Sequence, residues 1–427
     1  MTINLYPPAG TTVNPVLVSF AGSTQQDAFG RLRVSNPYTM FDSQSRYAAD
    51  NEYSYYTATG GTSAFNTNRS SVNLNVTTTS GSTTVAQTYR VFPYQPGKSL
   101  LTMQTFTMAP AQTNLTQRIG YYNVNNGVYL EQTGDSTYPL YFTIRTYTSG
   151  AVNNARSVQQ PNWNVDKFDG TGPSGIVLDI TKTQILWLDL EWLGVGTVRC
   201  GFVVDGILYI AHVFDNANSE TSVYMQTAIL PLRCEIFTTG TTASAASLQQ
   251  ICSTVISEGG YDQTSQLYNA YRTTPFTIAA AATFYPLVSI RLNSSYLGAV
   301  VLPAFINFLP VSGTNTYEVV LIKNASLTGA TWASTLSAGQ VDVDVAATAF
   351  ATAPSGDSII LMSYAVSTNQ GVTPVSATPG YNWSMQLGVT ANPSAPVSDT
   401  YTLGVRGASS AGLPTVVGAI AFYNLTV

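Results

Sequence analysis

The fold of this chain is indicated most clearly by one stretch, QILWLDLEWLGVGTVRCGFVVDGILYIAHVF, which occupies residues 184–214. Its alternating apolar positions are Leu186, Leu188, Leu190 and Trp192, then Val198, Cys200, Phe202 and Val204, and finally Leu208, Ile210 and Phe214. A period of two places successive side chains on opposite faces of a β-strand. The dipeptide Asp205-Gly206 between the second and third runs is typical of a type I′ hairpin turn. The stretch therefore predicts three consecutive antiparallel strands.

The rest of the chain has the same character. Residues 29–261 are rich in β-branched and alternating apolar positions, with turn signals about every ten residues. A short helix is predicted only around 243–251. Seven or more further strands are predicted between 287 and 427. We therefore predict an all-β protein, in which a jelly-roll-like β-sandwich domain is followed by a second, smaller β-sandwich domain.

Composition divides the chain into four predicted segments. Residues 1–26 contain several prolines and many small polar residues, and we predict an extended N-terminal arm that lies on a neighbouring subunit. The jelly-roll-like domain is expected over 27–262. A glycine pair and a polar run predict a linker over 263–274, and the C-terminal β-sandwich domain is expected over 275–427.

The chain is poor in charge. Charged side chains make up 9% of the 427 residues, and there is one histidine, whereas globular proteins average about 25% charged residues. Acid–base catalysis needs groups that titrate near working pH, so we predict a non-enzymatic protein without cofactor or metal. The net charge of −5 disfavours nucleic acid as a partner. We read no signal peptide and no membrane insertion in the sequence.

The best catalytic candidate is Trp187-Leu-Asp189-Leu-Glu191. The two carboxylates share a strand face about 6 to 7 Å apart, a separation compatible with glycoside hydrolysis. The motif is similar to the Glu-x-Asp-x-x-Glu signature of a jelly-roll glycosidase family, but Trp187 stands where an outer carboxylate is wanted. The alternative is a solvated strand face on which Arg199, across the hairpin, forms an ion pair with a carboxylate.

Two other features could carry chemistry. His212 is predicted to be a hydrogen-bonded histidine in or beside the core, on the same face as Ile210 and Phe214. Asp342 and Asp344 alternate on a strand and could hold a cation, although the pattern is a weak indication. No site is predicted from either feature.

The cysteines and tyrosines favour structure over chemistry. Cys200, Cys234 and Cys252 are predicted to be small buried residues on strands, without a disulfide or a zinc site. Tyrosines cluster at 47–56, 121–129 and 138–147. Tyrosine offers a large contact area with a polar tip, so these clusters favour extensive contact with other molecules. The alternative is that they pack on sheet faces within the chain.

A resemblance to a known group of proteins rests on three blocks. The blocks are DAFGRLRVSNP at 27–37 followed by FDSQ at 41–44, LEWLGVGTVR at 190–199, and ICSTVISEGGY at 251–261. Together they resemble virion structural proteins of tailed bacteriophages, especially phages of aquatic bacteria. The hairpin at 198–214 is also similar to hairpins of concanavalin-like and laminin-G-like jelly rolls, which often bind carbohydrate, but no matching set of calcium ligands is present.

The resemblance implies a particle-borne protein assembled in the host cytoplasm. We expect it to decorate or brace the capsid exterior, or to be attached to the tail, through extensive protein–protein contacts. Its expected partners are sister subunits, with a trimer as the preferred arrangement, and capsid or tail proteins. The alternative is a receptor-binding adhesin whose tyrosines and tryptophans stack on host glycans, and a jelly-roll glycoside hydrolase is a remote alternative.

Overall fold

Regular structure in this protein consists almost entirely of antiparallel β-strands. The computed structural model describes residues 36–135, 137–262, 264–356, 358–367 and 382–426. The arm predicted over 1–26 lies outside these residues. Within them there is no α-helix, and three short 3-10 turns occur at Gln160–Asn162, Ser337–Gly339 and Trp383–Met385.

Fifteen strands make up the first part of the fold. In chain order they are β1 Pro37–Gln44, β2 Tyr53–Ala58, β3 Thr62–Asn66, β4 Ser71–Val76, β5 Thr83–Thr88, β6 Ser99–Thr107, β7 Leu115–Tyr122, β8 Gly127–Gln132, β9 Leu140–Thr146, β10 Asn153–Gln159, β11 Gln184–Leu190, β12 Val198–Val204, β13 Ile207–Phe214, β14 Leu232–Thr238 and β15 Ala246–Glu258.

These strands form two sheets packed face to face. One has the order β13-β12-β11-β6-β15-β4-β3, with β1 also paired to β15, and the other has the order β10-β9-β8-β7-β14-β5-β2. Leu188 and Phe202 from the first sheet share one core with Ile119 and Phe142 from the second. The rings of Phe142 and Phe202 lie 6.0 Å apart. The predicted jelly-roll-like sandwich is confirmed.

The three strands predicted from residues 184–214 are confirmed as β11, β12 and β13. Asp205 and Gly206 have φ values of 52° and 78°, the positive values that a type I′ turn requires at both central positions. One detail was not predicted: the register shifts between Cys200 and Gly201, which pair with His212 and Ile210. The unpaired Ala211 is therefore a β-bulge.

The helix predicted around 243–251 is wrong. Residues 246–251 begin β15, a 13-residue strand that pairs with β6 on one side and with β4 and β1 on the other. Its alanine, leucine and glutamine residues suggest a helix only when taken alone. Pairing on both sides and burial of Leu248 and Val255 override that local preference.

Twelve strands make up the second part. They are β16 Gln266–Tyr271, β17 Phe276–Thr277, β18 Tyr285–Leu292, β19 Val301–Ser312, β20 Thr316–Lys323, β21 Leu327–Thr328, β22 Trp332–Leu336, β23 Val341–Asp344, β24 Ala349–Phe350, β25 Ile359–Val366, β26 Thr400–Gly407 and β27 Thr415–Asn424.

The second part is also a sandwich. A six-stranded sheet, β22-β23-β18-β26-β20-β25, faces a four-stranded sheet in which β27 pairs with β16, β17 and β19. β21 and β24 form a separate two-stranded sheet. Ile290 and Leu403 meet Ile420 and Phe422 in its core. The segment 263–274, for which the sequence suggested a linker, contains β16. Although the segment is polar, this strand pairs along β27 and buries Ala270.

The two sandwiches are joined by direct contacts. Trp383 donates its indole N–H to the Tyr38 hydroxyl at 3.0 Å, and the backbone N–H of Ala391 donates to Ser54 at 2.9 Å. Val300 and Leu302 of the second sandwich contribute to the first core. The described residues from 37 onward accordingly belong to one compact unit.

Candidate functional site

Asp189, the central residue of the catalytic candidate, is held in an ion pair. It lies directly opposite Arg199 on β12, and its two carboxylate oxygens accept from the Ser99 hydroxyl and the Arg199 guanidinium. Asp189 is only 5% exposed, whereas half of the Arg199 side chain is exposed. The ion pair that was expected across the hairpin is confirmed. The expected solvated strand face is wrong for Asp189, because its carboxylate is buried.

A small cavity adjoins this ion pair. It has a volume of about 260 Å³ and is lined by Asp189, Glu191, Thr197 and Arg199. Glu258 of β15, which the sequence analysis missed, lies near enough to Asp189 and Arg199 for their charges to act on it. Partial burial raises the pKa of Glu258, Asp189 raises it further, and Arg199 opposes the shift. Only the strand order, with β6 between β11 and β15, brings Glu258 close to Asp189.

This arrangement differs from a pair of working carboxylates. Glycoside hydrolysis needs one protonated acid and one carboxylate free to attack carbon or to activate water. Both oxygens of Asp189 already have structural donors. Trp187 is buried opposite Gly201, where a Cβ on the glycine would come within 2.8 Å of the indole ring. The position of the family's outer carboxylate is therefore filled by a packed indole.

His212 has the structural role that was predicted. It is 6% exposed, and its Nδ1 accepts a hydrogen bond from the backbone N–H of Asn164 at 3.2 Å. Its ring packs edge-on against Phe214 at 4.4 Å. Burial, with a further contribution from Arg156, lowers the pKa of His212 to about 4, and Asp215 opposes the shift. The imidazole is therefore neutral at pH 7.

The His212 pKa makes a prediction about acid stability. A group whose pKa is about 4 when folded and 6.5 when unfolded takes up its proton first in the unfolded chain. The stability that it contributes is present above pH 6.5 and is lost as the pH falls towards 4, by about 1 to 3 kcal/mol. In His212→Gln, the free energy of unfolding should vary less between pH 6.5 and 5 than in the wild type. Chemical denaturation across that range measures both slopes, and equal slopes would contradict the prediction.

Asp342 and Asp344, the possible cation ligands, are occupied by protein donors. Asp342 accepts from Asn293 at 2.9 Å and from Ser334 at 2.5 Å. Asp344 accepts from the backbone N–H of Thr331 at 2.7 Å. The two carboxylates thus fix the loops around β23. Among the described residues, no group of three or more histidine, cysteine or acidic side chains is arranged to hold a metal ion.

The cysteines are free thiols on strands. Cys200 and Cys234 are buried, and Cys252 is partly buried. Burial is the main cause that raises the pKa of each thiol, which disfavours the reactive thiolate. The prediction of buried strand residues is confirmed for the first two and holds in part for Cys252.

The clustered tyrosines do not all lie on the protein surface. Tyr121, Tyr122 and Tyr129 are fully buried, so the prediction of a contact surface is wrong for this cluster, and the alternative of internal packing is correct. Tyr47, by contrast, is 93% exposed. Three of the tryptophans that could stack on a glycan are also buried, namely Trp163, Trp187 and Trp383.

A buried ionic network lies on the outward side of the second sheet. Arg118 of β7 forms ion pairs of 2.7 Å with Glu131 and with Glu235, its direct neighbours on β8 and β14. Arg233 also binds Glu235, at 2.8 Å. Burial alone would raise the pKa of Glu235, but Arg233 and Arg118 outweigh it and lower the pKa to about 2. Glu235 is therefore an anion at neutral pH and lies between two cations.

Aromatic rings complete this network. Tyr122 and Tyr129 pack with ring centroids 4.6 Å apart, and the guanidinium of Arg145 lies 5.0 Å from the centre of Tyr129. Such cation–π contacts add to the ion pairs when they are removed from water. The sequence analysis missed this network because Arg233 and Glu235 lie more than a hundred residues after Arg118 in the chain. Arginine and glutamate at outward positions of β7, β8 and β14 were the available signal.

A second, larger cavity lies where β6 ends. The Met108 N–H donates to Ile180 at 2.9 Å, so the chain turns away from β15 and leaves a groove of about 620 Å³ beside Ala246. Its lining carries hydroxyl and amide groups, such as Thr107 and Gln249, and one charged side chain, Arg69. The groove thus combines small apolar side chains, such as Ala109 and Ala246, with polar groups and one cationic side chain.

Comparison with known proteins finds likeness in structure only. No family model and no curated protein sequence matches the chain. Among solved structures, β-glucanase of Bacillus licheniformis is 10% identical over 52% of this chain and 98% of its own, with a TM-score of 0.33. Peanut lectin with a nine-residue peptide is 12% identical over 52% and 98%, with a TM-score of 0.32. A lectin from Bauhinia forficata in complex with GalNAc is 9% identical over 53% and 100%, with a TM-score of 0.31.

At these identities, function has to be argued from the chain's own residues. The described residues include no helix with the length and apolar character needed to span a membrane. Three places in the fold could carry function. They are the ion pair of Asp189 and Arg199 with its small cavity, the buried network around Arg118, and the groove beside Arg69.

Proposed function

We propose that this chain is a non-enzymatic structural protein of a tailed-bacteriophage virion, which decorates or braces the capsid exterior or is attached to the tail. The observation that carries the proposal is that the residues best suited to acid–base chemistry are engaged in structural interactions. Asp189 is bound by Arg199 and Ser99, and the pKa of His212 is about 4. Such a chain is suited to recognising other proteins by surface contact.

Two further features support the proposal. The sequence blocks at 27–44, 190–199 and 251–261 resemble virion structural proteins. Charge is scarce, and ionic groups such as Arg118, Glu235 and Asp189 are paired within the chain. Contacts made by neutral surfaces are little affected by salt, because screening acts on charges.

Purified particles test the proposal. We expect quantitative mass spectrometry of gradient-banded virions, from the phage that encodes this chain, to find it in a fixed ratio to the other structural proteins. The ratio should persist after the particles are washed in 1 M salt. Recovery of the chain only in the soluble fraction of the lysate would contradict the proposal.

The groove beside Arg69 favours a second candidate, a virion adhesin for host glycans. Pockets of about 300 to 1,000 Å³ suit small ligands, and the hydroxyl, amide and guanidinium groups of this groove match an acidic sugar. Saturable binding on a glycan array, lost in Arg69→Ala and kept in Arg46→Ala, would support the adhesin. Polysaccharide turnover that is abolished by Glu191→Gln would instead support the hydrolase alternative.

A further inference from the structure

In the part of the chain that the structure describes, one edge strand of the second sandwich has a partner on one side only. β25 is the last strand of the six-stranded sheet. It pairs with β20 on one side, and on its other side no strand is paired among the described residues. The backbone N–H and C=O groups of such an edge form a template for a further strand.

This edge lacks the usual protection. The sequence of β25, IILMSYAV, contains no charged residue and no proline, the residue types that natural proteins place on exposed edges. The opposite edge strand of the same sheet, β22, has five residues and an irregular register with β23. The register of β25 with β20 shifts once, between Ile359 and Leu361, and is regular from Leu361 to Val366.

An apolar stripe follows the edge. The outward side chains of β25 are Ile360, exposed by 37%, Met362 by 43%, Tyr364 by 66% and Val366 by 39%. Leu361 and Ala365 point the other way and pack against the second core. Beside the stripe, Arg406 and Glu318 neutralise each other at 2.6 Å. This ion pair therefore adds no net charge beside the stripe.

We propose that β25 pairs antiparallel with β25 of a second copy of this chain, about a two-fold axis that passes through Ser363. In this register Met362 lies opposite Tyr364 of the second copy, and Ile360 lies opposite Val366. All four exposed apolar side chains then have apolar partners on the same face. A shift of one residue would oppose side chains from different faces, and a longer shift would leave an apolar side chain without a partner.

The contact is weak by itself and suited to repetition. Eight residues span about 26 Å, and one strand pair buries less than the roughly 1,200 Å² of a stable interface. On an assembled particle, many such contacts would add by avidity. The inference extends the proposed function to contacts between sister subunits, but its test uses purified protein and is independent of virion location.

Cysteine scanning tests both the contact and its register. Residues that face their own copies across an antiparallel pair have Cα atoms about 4.5 to 5.5 Å apart, a separation that permits a disulfide. Under mild oxidation, Ser363→Cys should give at least five times more covalent dimer than Met362→Cys or Tyr364→Cys. The wild type, with its three native cysteines, gives the background.

A second substitution shows that the stripe itself is responsible. Adding Met362→Lys to Ser363→Cys should reduce the covalent dimer at least five-fold, because it places a charge opposite Tyr364 of the second copy. Equal dimer yields from the three cysteine variants, or yields no higher than the wild type, would overturn the proposal. A preference for position 362 or 364 would overturn the register.

Discussion

Replacing Glu235 by glutamine is expected to lower the free energy of unfolding by about 3–5 kcal/mol, the cost of leaving a buried charge without its counterion. Glu235 lies between Arg118 and Arg233 at 2.7 and 2.8 Å and is 6% exposed. Glutamine has nearly the same shape, so the loss comes from charge and not from packing. Urea denaturation at pH 7 measures it.

The matched control is an exposed ion pair. Asp262 binds Lys98 at 2.8 Å, but its side chain is 76% exposed. Asp262→Asn should therefore cost about 0 to 1 kcal/mol. A loss below 1 kcal/mol in Glu235→Gln would contradict the structural importance of the network.

The Glu235 carboxylate also gives the wild type a dependence on pH. Its pKa is about 2 in the folded chain against 4.5 ordinarily, so its stabilisation is complete above pH 4.5 and is lost as the pH falls towards 2. This component of the acid dependence should be absent in Glu235→Gln, because glutamine does not titrate.

Phe202→Ala should have a comparable effect, about 3–5 kcal/mol, because it opens a cavity between the two sheets. Phe202 is fully buried, and its ring centroid lies 5.3 Å from that of Phe168 and 6.3 Å from that of Trp163. These contacts tie the first sheet to the long loop between β10 and β11. Thermal and urea unfolding measure the loss.

Two controls separate packing from composition. Phe202→Leu keeps most of the apolar volume and should cost clearly less than the alanine variant. Tyr271→Ala removes an aromatic ring that is 60% exposed and should change stability by about 0.5 kcal/mol or less. Equal losses in Phe202→Ala and Tyr271→Ala would contradict the assigned core.

Local patterns were sufficient to predict the parts of the fold that form locally. The hairpin around Asp205-Gly206 was predictable because its turn type and strand period are both determined within a few residues. The pairing of Asp189 with Arg199 followed from the same register. His212 was correctly placed beside the core, although the bulge at Ala211 was not foreseen.

Features that depend on distant pairing were not predictable. The helix predicted around 243–251 is wrong because the strand character of β15 comes from pairing with its neighbours β6, β4 and β1. The position of Glu258 near Asp189 depends on strand order. Burial of Tyr121 and Tyr129 depends on which sheet face is covered, and composition alone does not decide that.

Electron microscopy of intact particles with gold-labelled antibody against this chain tests the central claim most directly. The account predicts gold at regular positions on the head or the tail of undamaged virions, because the proposed role is repeated surface contact. Unlabelled particles, in a lysate where the same antibody detects abundant soluble chain, would contradict it.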